Sequence, residues 1–133
     1  MRIQKDNIVV RSATIDDAIQ LNKWWNDGKV MEHAAYPGWK ICDFSYQNQG
    51  YGPKIIMMLF EFLFTDETIN SKFPIEKIVW DTMLENKRAQ YVYENKIGAR
   101  KVGIRKGYWK DQNGQLRTAV DYELSKEDFF NAR

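Results

Sequence analysis

Between residues 47 and 52 the chain reads Gln47-Asn48-Gln49-Gly50-Tyr51-Gly52, a polar turn carrying two glycines. It stands between a strand-like segment at 39–44 and a long apolar run at 55–64. A glycine-bearing turn that feeds a helix start presents backbone N–H groups with no intrahelical partner, and the helix dipole adds positive potential there. The chemistry open to such a place is the holding of an anion, and a pyrophosphate suits it. Gly50 and Gly52 let the backbone approach an anion closely and adopt positive φ where a turn needs it. Two glycines alone also describe an ordinary turn. The segment lacks the Lys-Ser/Thr ending of a P-loop and the third glycine of a dinucleotide fingerprint, so neither of those phosphate sites is spelled out here.

Other residues with chemical potential read more plainly. Tyr93 shares the apolar face of a helix with Ala89 and Ile97, and position alone makes it core. Cys42 sits within the strand-like segment with no evident His partner, which makes it a small core residue rather than a nucleophile. His33 is the one imidazole and reads as a loop residue; one His and one Cys do not make a typical zinc site, so no metal is expected.

The elements that must position these residues follow from periodicity and capping. Ile8-Val9-Val10 is a short β-branched strand. Thr14 followed by Asp17 resembles a capping box, and Ile15, Ala18 and Ile19 have helical spacing that extends to Trp24-Trp25 before Asn26-Asp27-Gly28 breaks it. Residues 30–37 read as helix or loop. Pro53 suits a first helical turn, and residues 55–64 predict a helix buried on most of its circumference. Residues 66–74 read as a loop and 75–82 as a strand. Asn86 caps a second helix that Gly98 ends. Strands at 101–110 and 116–124 follow, joined at Asn113-Gly114. The order β–α–β–α–β–α–β–β describes one mixed α/β domain over residues 1–133.

Composition narrows the class. With 133 residues, 44% hydrophobic and 29% charged, the chain can bury one core and is not of a disordered type. The apolar run at 55–64 is too short to cross a bilayer, no signal peptide is visible, and a single cysteine fits a reducing cytoplasm. A net charge of +2 gives no general drive toward nucleic acid or membrane. One stretch, with Arg100, Lys101, Arg105, Lys106 and Lys110 around Tyr108 and Trp109, mixes basic and aromatic residues as an RNA-contacting surface does. Alternation along a solvated strand accounts for it as well.

Taken together, the motifs resemble the GNAT superfamily of acetyl-CoA-dependent N-acetyltransferases. Gln47, Gly50 and Gly52 match the signature Q/R-x-x-G-x-G/A after a strand and before a long apolar helix. Asn86-Lys87-Arg88-Ala89 and then Tyr93-Glu94-Asn95-Lys96-Ile97-Gly98-Ala99 resemble the second motif, and Val120-Asp121-Tyr122-Glu123-Leu124 is similar to the last strand of the ribosomal-protein and aminoglycoside branch. The resemblance covers roughly residues 39–124.

It implies an α/β (α+β) fold, with a mixed sheet whose central parallel strands splay apart, flanking helices and a C-terminal β-hairpin. It implies acetyl-CoA as co-substrate and a small amine or a protein N-terminal amine as acceptor. By the same resemblance, backbone groups of Ile41 and Cys42 would pair with the pantetheine arm and Gln47 belongs to the coenzyme loop. Amides of Gln49, Gly50, Tyr51 and Gly52 would hold the pyrophosphate, and Asn86 would contact the arm. Tyr93 would be the general acid that protonates the leaving sulfur, which a phenol of pKa about 10 can do while remaining neutral at pH 7. Asp81, Glu85 and Glu32 stand where a base for the amine could lie, each also reading as a surface carboxylate.

The pattern departs from the family in one place. Two further strands normally precede the coenzyme strand, and a hairpin needs on the order of 12–15 residues; only residues 28–38, with an abrupt join at Pro37-Gly38, are available. The first strand then lacks a hairpin partner, an edge that invites homodimerisation. Two other classes stay open at this level, a non-catalytic acyl-CoA-binding module and an RNA- or ribosome-associated protein.

Overall fold

The computed structural model describes residues 1–27 and 41–133. They form two compact units, Met1–Leu59 and Phe60–Arg133.

The first unit opens with a hairpin, β1 (Arg2–Lys5) against β2 (Ile8–Arg11), antiparallel with Ile3 opposite Val10 and Lys5 opposite Ile8. This corrects the expectation of a lone first strand. Asp6 supplies the reason: its φ of 53° is the positive value that a two-residue hairpin loop requires. A 3-10 turn, Ile15–Asp17, leads into α1 (Ala18–Trp25). The capping box works with an Asp in the acid position. The Asp17 carboxylate accepts from the Thr14 N–H at 2.7 Å and its hydroxyl at 3.0 Å, and the Arg11 guanidinium grips both its oxygens at 2.7 Å.

The strand expected at 39–44 is not present in its described part. Ile41 and Cys42 are irregular, and a 3-10 turn, Phe44–Tyr46, follows. Asp43 diverts the chain: its carboxylate accepts from the Ser45 N–H at 2.9 Å and hydroxyl at 2.6 Å, a local closure that competes with strand pairing. Trp39, the segment 30–37 with Glu32 and His33, and the join at Pro37-Gly38 lie outside the described residues.

Helix α2 (Tyr51–Thr65) begins in the first unit and ends in the second. From Ile55 to its end only Glu61 and Thr65 are exposed, as the apolar run predicts. The loop expected at 66–74 contains a one-turn helix, α3 (Glu67–Asn70), because the Asp66 carboxylate accepts from the Ile69 N–H. Asn70 then fixes the exit, donating to the Leu63 and Asp66 carbonyls and accepting from the Ile75 N–H.

In the second unit β3 (Lys77–Met83), β4 (Arg100–Lys110) and β5 (Leu116–Ser125) form a sheet ordered β3-β5-β4, with both ladders antiparallel. The splayed parallel pair finds no counterpart among the described residues, since one of its strands was the segment at 39–44. Between β3 and β4 runs α4 (Lys87–Val92), which widens into a π turn at Tyr93–Ile97 and stops at Gly98 in the left-handed conformation, φ 80°. The hairpin from β4 to β5 closes through Asp111, whose N–H donates to the Gln115 carbonyl and whose carbonyl accepts from the left-handed Gly114. A final helix, α5 (Lys126–Asn131), is capped by Ser125 and was not expected. Phe60, Phe64, Ile97, Val120, Tyr122 and Phe129 are the largest fully buried side chains, so this core forms where α2, α5 and the sheet meet.

Candidate functional site

The glycine turn bends at two residues of positive φ. Gln47 has φ −73°, Asn48 +61° and Gly50 +79°, and the residues between and after them are negative. Positive φ at Asn48 and Gly50 bends the main chain on either side of Gln49, just before the helix. The turn leads directly into the N-terminus of α2, a 15-residue helix whose first turn leaves N–H groups unbonded within the helix. Among the described residues, a Cβ on Gly50 would meet nothing within 4 Å. Gly52 lies against Ile41, where a Cβ would sit 3.8 Å from Cδ1.

The side chains here shape the loop rather than face a ligand. Gln47 donates through Nε2 to the Ile41 carbonyl at 2.9 Å, and Gln49 donates to the Ser45 carbonyl at 2.5 Å. Tyr46 and Tyr51 meet edge on, with ring centroids 6.1 Å apart. The structure therefore brings Ile41, Cys42, Gln47, Gln49, Gly50, Tyr51 and Gly52 into one local constellation. Asn48 belongs with them. Sequence reasoning passed over it, although Asn between polar turn residues is the non-glycine residue readiest to take positive φ.

Asn86 and Tyr93 stand in the second unit. The Asn86 side chain caps α4, accepting from the Ala89 N–H at 3.1 Å, as expected. Tyr93 is 6% exposed and opens the π turn; its carbonyl receives the N–H groups of Gly98 and, at 2.8 Å, Ala99. Its ring meets Trp80 edge on at 5.5 Å and Tyr122 at 5.3 Å. Tyr122 is wholly buried and donates its hydroxyl to Glu94 at 2.7 Å, and Glu94 also binds Lys101 at 3.0 Å. Burial, and then the bond to Glu94, push the Tyr122 phenol up. The Tyr122 hydroxyl, then Lys101, hold Glu94 below the usual carboxylate range.

Of the candidate bases, Asp81 is engaged by Arg105 at 2.7 Å, and the same guanidinium grips Asp121 at 2.6 and 2.8 Å while stacking on Tyr108, 3.5 Å from the ring centre. Glu85 is half-exposed, 3.8 Å from Arg117. In the basic stretch Arg100 pairs with Glu123, Lys101 with Glu94 and Arg105 with the two aspartates. Among the described residues no three His, Cys, Asp or Glu side chains gather as a metal site would need, and no helix is long and apolar enough to cross a membrane.

No family model matches the chain, and no curated protein matches it. Solved structures do match. The spermidine/spermine N-acetyltransferase SpeG from Vibrio cholerae aligns at 19% identity with a TM-score of 0.56, over 68% of this chain and 48% of its own. The ribosomal-protein-S5-alanine acetyltransferase from Vibrio fischeri aligns at 17% identity and 0.57, over 73% of this chain and 51% of its own. A further acetyltransferase aligns at 20% identity and 0.56, over 65% and 41%. This chain thus spans about half the length of the proteins it matches. At these identities the likeness is one of fold, and the fold of this chain is that of the GNAT acetyltransferases.

Proposed function

We propose that the chain is an N-acetyltransferase that moves the acetyl group of acetyl-CoA to a primary amine. The observation that carries the reading is the Gln47–Gly52 turn, whose φ alternates in sign and which opens onto the N-terminus of α2, within an acetyltransferase fold. The residues fit a pyrophosphate: among the described residues nothing stands within 4 Å of a Cβ built on Gly50, and the first turn of α2 offers main-chain N–H groups with no intrahelical partner. Acetyl-CoA supplies the thioester, whose acyl carbon is open to an amine.

The chain's own part is then binding, orientation and proton management. Amides of Gln49, Gly50, Tyr51 and Gly52 hold the pyrophosphate, while Gln47 sets the loop's curvature through the Ile41 carbonyl. Main-chain groups of Ile41 and Cys42 and the side chain of Asn86 guide the pantetheine arm. Tyr93 gives its hydroxyl proton to the departing sulfur. Its ring is fixed among other rings, and a fixed proton donor suits general acid catalysis. Asp81 is already engaged by Arg105, so the ammonium proton of the acceptor leaves by another route. Two of the matched proteins are named for spermidine/spermine and for an alanine of a ribosomal protein; a small amine or a protein N-terminal amine is the acceptor class proposed here. Three of the five cations between residues 100 and 110 are engaged by carboxylates, which favours this reading over RNA binding.

Calorimetric titration with acetyl-CoA, with dephospho-CoA and ATP as controls, tests it. Saturable micromolar binding of acetyl-CoA is expected; no binding to the folded chain refutes it.

A further inference from the structure

The π turn that begins at Tyr93 is an uncommon backbone state, and such turns collect at functional sites. The side chains around it form a closed circuit. Glu94, next to Tyr93 in the turn, accepts the hydroxyl of Tyr122 at 2.7 Å. Tyr122 lies in the central strand β5, fully buried, and its ring meets that of Tyr93 at 72° with centroids 5.3 Å apart. Trp80 completes the corner, stacked on Tyr122 at 6.1 Å and perpendicular to Tyr93 at 5.5 Å. Lys101, from β4, holds the Glu94 carboxylate from outside at 3.0 Å. The path from Tyr93 to Glu94 through the backbone, from Glu94 to Tyr122 through a charge-assisted hydrogen bond, and from Tyr122 back to Tyr93 through ring contact leaves the Tyr93 ring little room to reorient.

Packing alone would be served by Phe at position 122. A buried hydroxyl needs a partner, and its partner here belongs to the turn that carries Tyr93. We propose that Tyr122 and Glu94 are positioning residues that together fix the ring of Tyr93 and so aim its hydroxyl. The proposal rests on Tyr93 as the acid of the acetyltransferase reading for its catalytic consequence, but not for the clamp itself.

The test separates the two. With tyrosine 13C-labelled on the ring, the Tyr93 signal is identified by its loss in Tyr93→Phe. Tyr122→Phe keeps the neighbouring ring and removes only the anchor, so the Tyr93 signal should move in it and in Glu94→Ala, and move less in Glu94→Gln, which keeps an acceptor oxygen. An unmoved signal in both Tyr122→Phe and Glu94→Ala overturns the clamp, and Glu94→Ala decides alone if Tyr122→Phe does not fold. In turnover with an accepted amine, Tyr122→Phe should lower kcat about 10- to 100-fold, the scale of a misplaced group, with KM for acetyl-CoA unchanged. It should add no further loss to Tyr93→Phe; additive losses, or a raised KM with kcat intact, overturn the positioning role. A wild-type chain that neither binds nor turns over acetyl-CoA overturns the acetyltransferase reading instead, while the Tyr93 signal still decides the clamp.

Discussion

Gly50→Ala tests the phosphate loop with an internal control. Gly50 has φ +79° and Gly114, in the β4–β5 turn, has φ +76°; at neither would an added Cβ meet an atom of the described residues within 4 Å. Alanine therefore clashes with nothing at either position and pays only for the left-handed backbone, about 1 kcal/mol. That should lower the melting temperature by about 3–6 °C in both variants. The two part company in binding. At Gly50 the methyl stands on the open side of the loop, where the pyrophosphate would come within hydrogen-bond distance of the main chain. Losing one hydrogen bond to a charged group costs about 1.5–3 kcal/mol, which weakens acetyl-CoA binding about 10- to 100-fold. Gly114→Ala should bind as the wild type does. Calorimetry on both variants, with melts recorded alongside, reads the result. A Gly50→Ala chain with the expected loss of stability but wild-type affinity would falsify the loop assignment, because the strain would be present and the predicted obstruction would not matter.

Three further outcomes follow from the same geometry. Tyr93→Phe should slow turnover about 100-fold or more while leaving acetyl-CoA affinity largely intact; a full rate places the acid elsewhere. Arg105→Met should destabilise the fold by about 1–2 kcal/mol, because Asp81 and Asp121 face each other in register and lose the cation between them; an unaltered urea midpoint would show that solvent already screens the pair. Stability should also fall as pH drops below about 4. Glu94 is held low by Tyr122 and then Lys101, and Glu123 by Arg100 and then Lys77. A depressed carboxylate stabilises the fold above its unfolded value, and the contribution is lost as pH falls through its folded value. Melts at pH 6 and 3.5 measure the loss, which should be smaller in Tyr122→Phe.

The sequence spoke clearly wherever one segment carried its own reason for its shape. The apolar run at 55–64, the Asn86 cap, the Gly98 stop and the hairpin around Gly114 all rest on residues within a turn or two of each other, and all are present. The errors occurred where a single polar side chain outvoted the pattern around it. Ile41-Cys42 followed by Phe44 reads as strand, yet Asp43 between them closes a turn on Ser45. Arg2-Ile3-Gln4-Lys5 has too little apolar alternation to read as strand, yet Asp6 takes positive φ and folds it onto Ile8–Arg11. Asp66 and Ser125 likewise start helices that are too short for periodicity to reveal.

The candidate site divides along the same line. The loop was legible at Gly50, which needs no distant partner to take positive φ, whereas the positive φ of Asn48 was missed. The surroundings of Tyr93 were not. Its helical spacing marks it as core and its motif marks it as acid, and neither signal foretells a π turn. The turn is joined to the sheet through Glu94 and a tyrosine 28 residues further on. A bond of that separation exists only after β5 has entered the centre of the sheet. On the proposed reading, core and acid are not opposed. A proton donor that must point in one direction gains from being packed on its ring, and the burial of Tyr93 would serve to aim its hydroxyl.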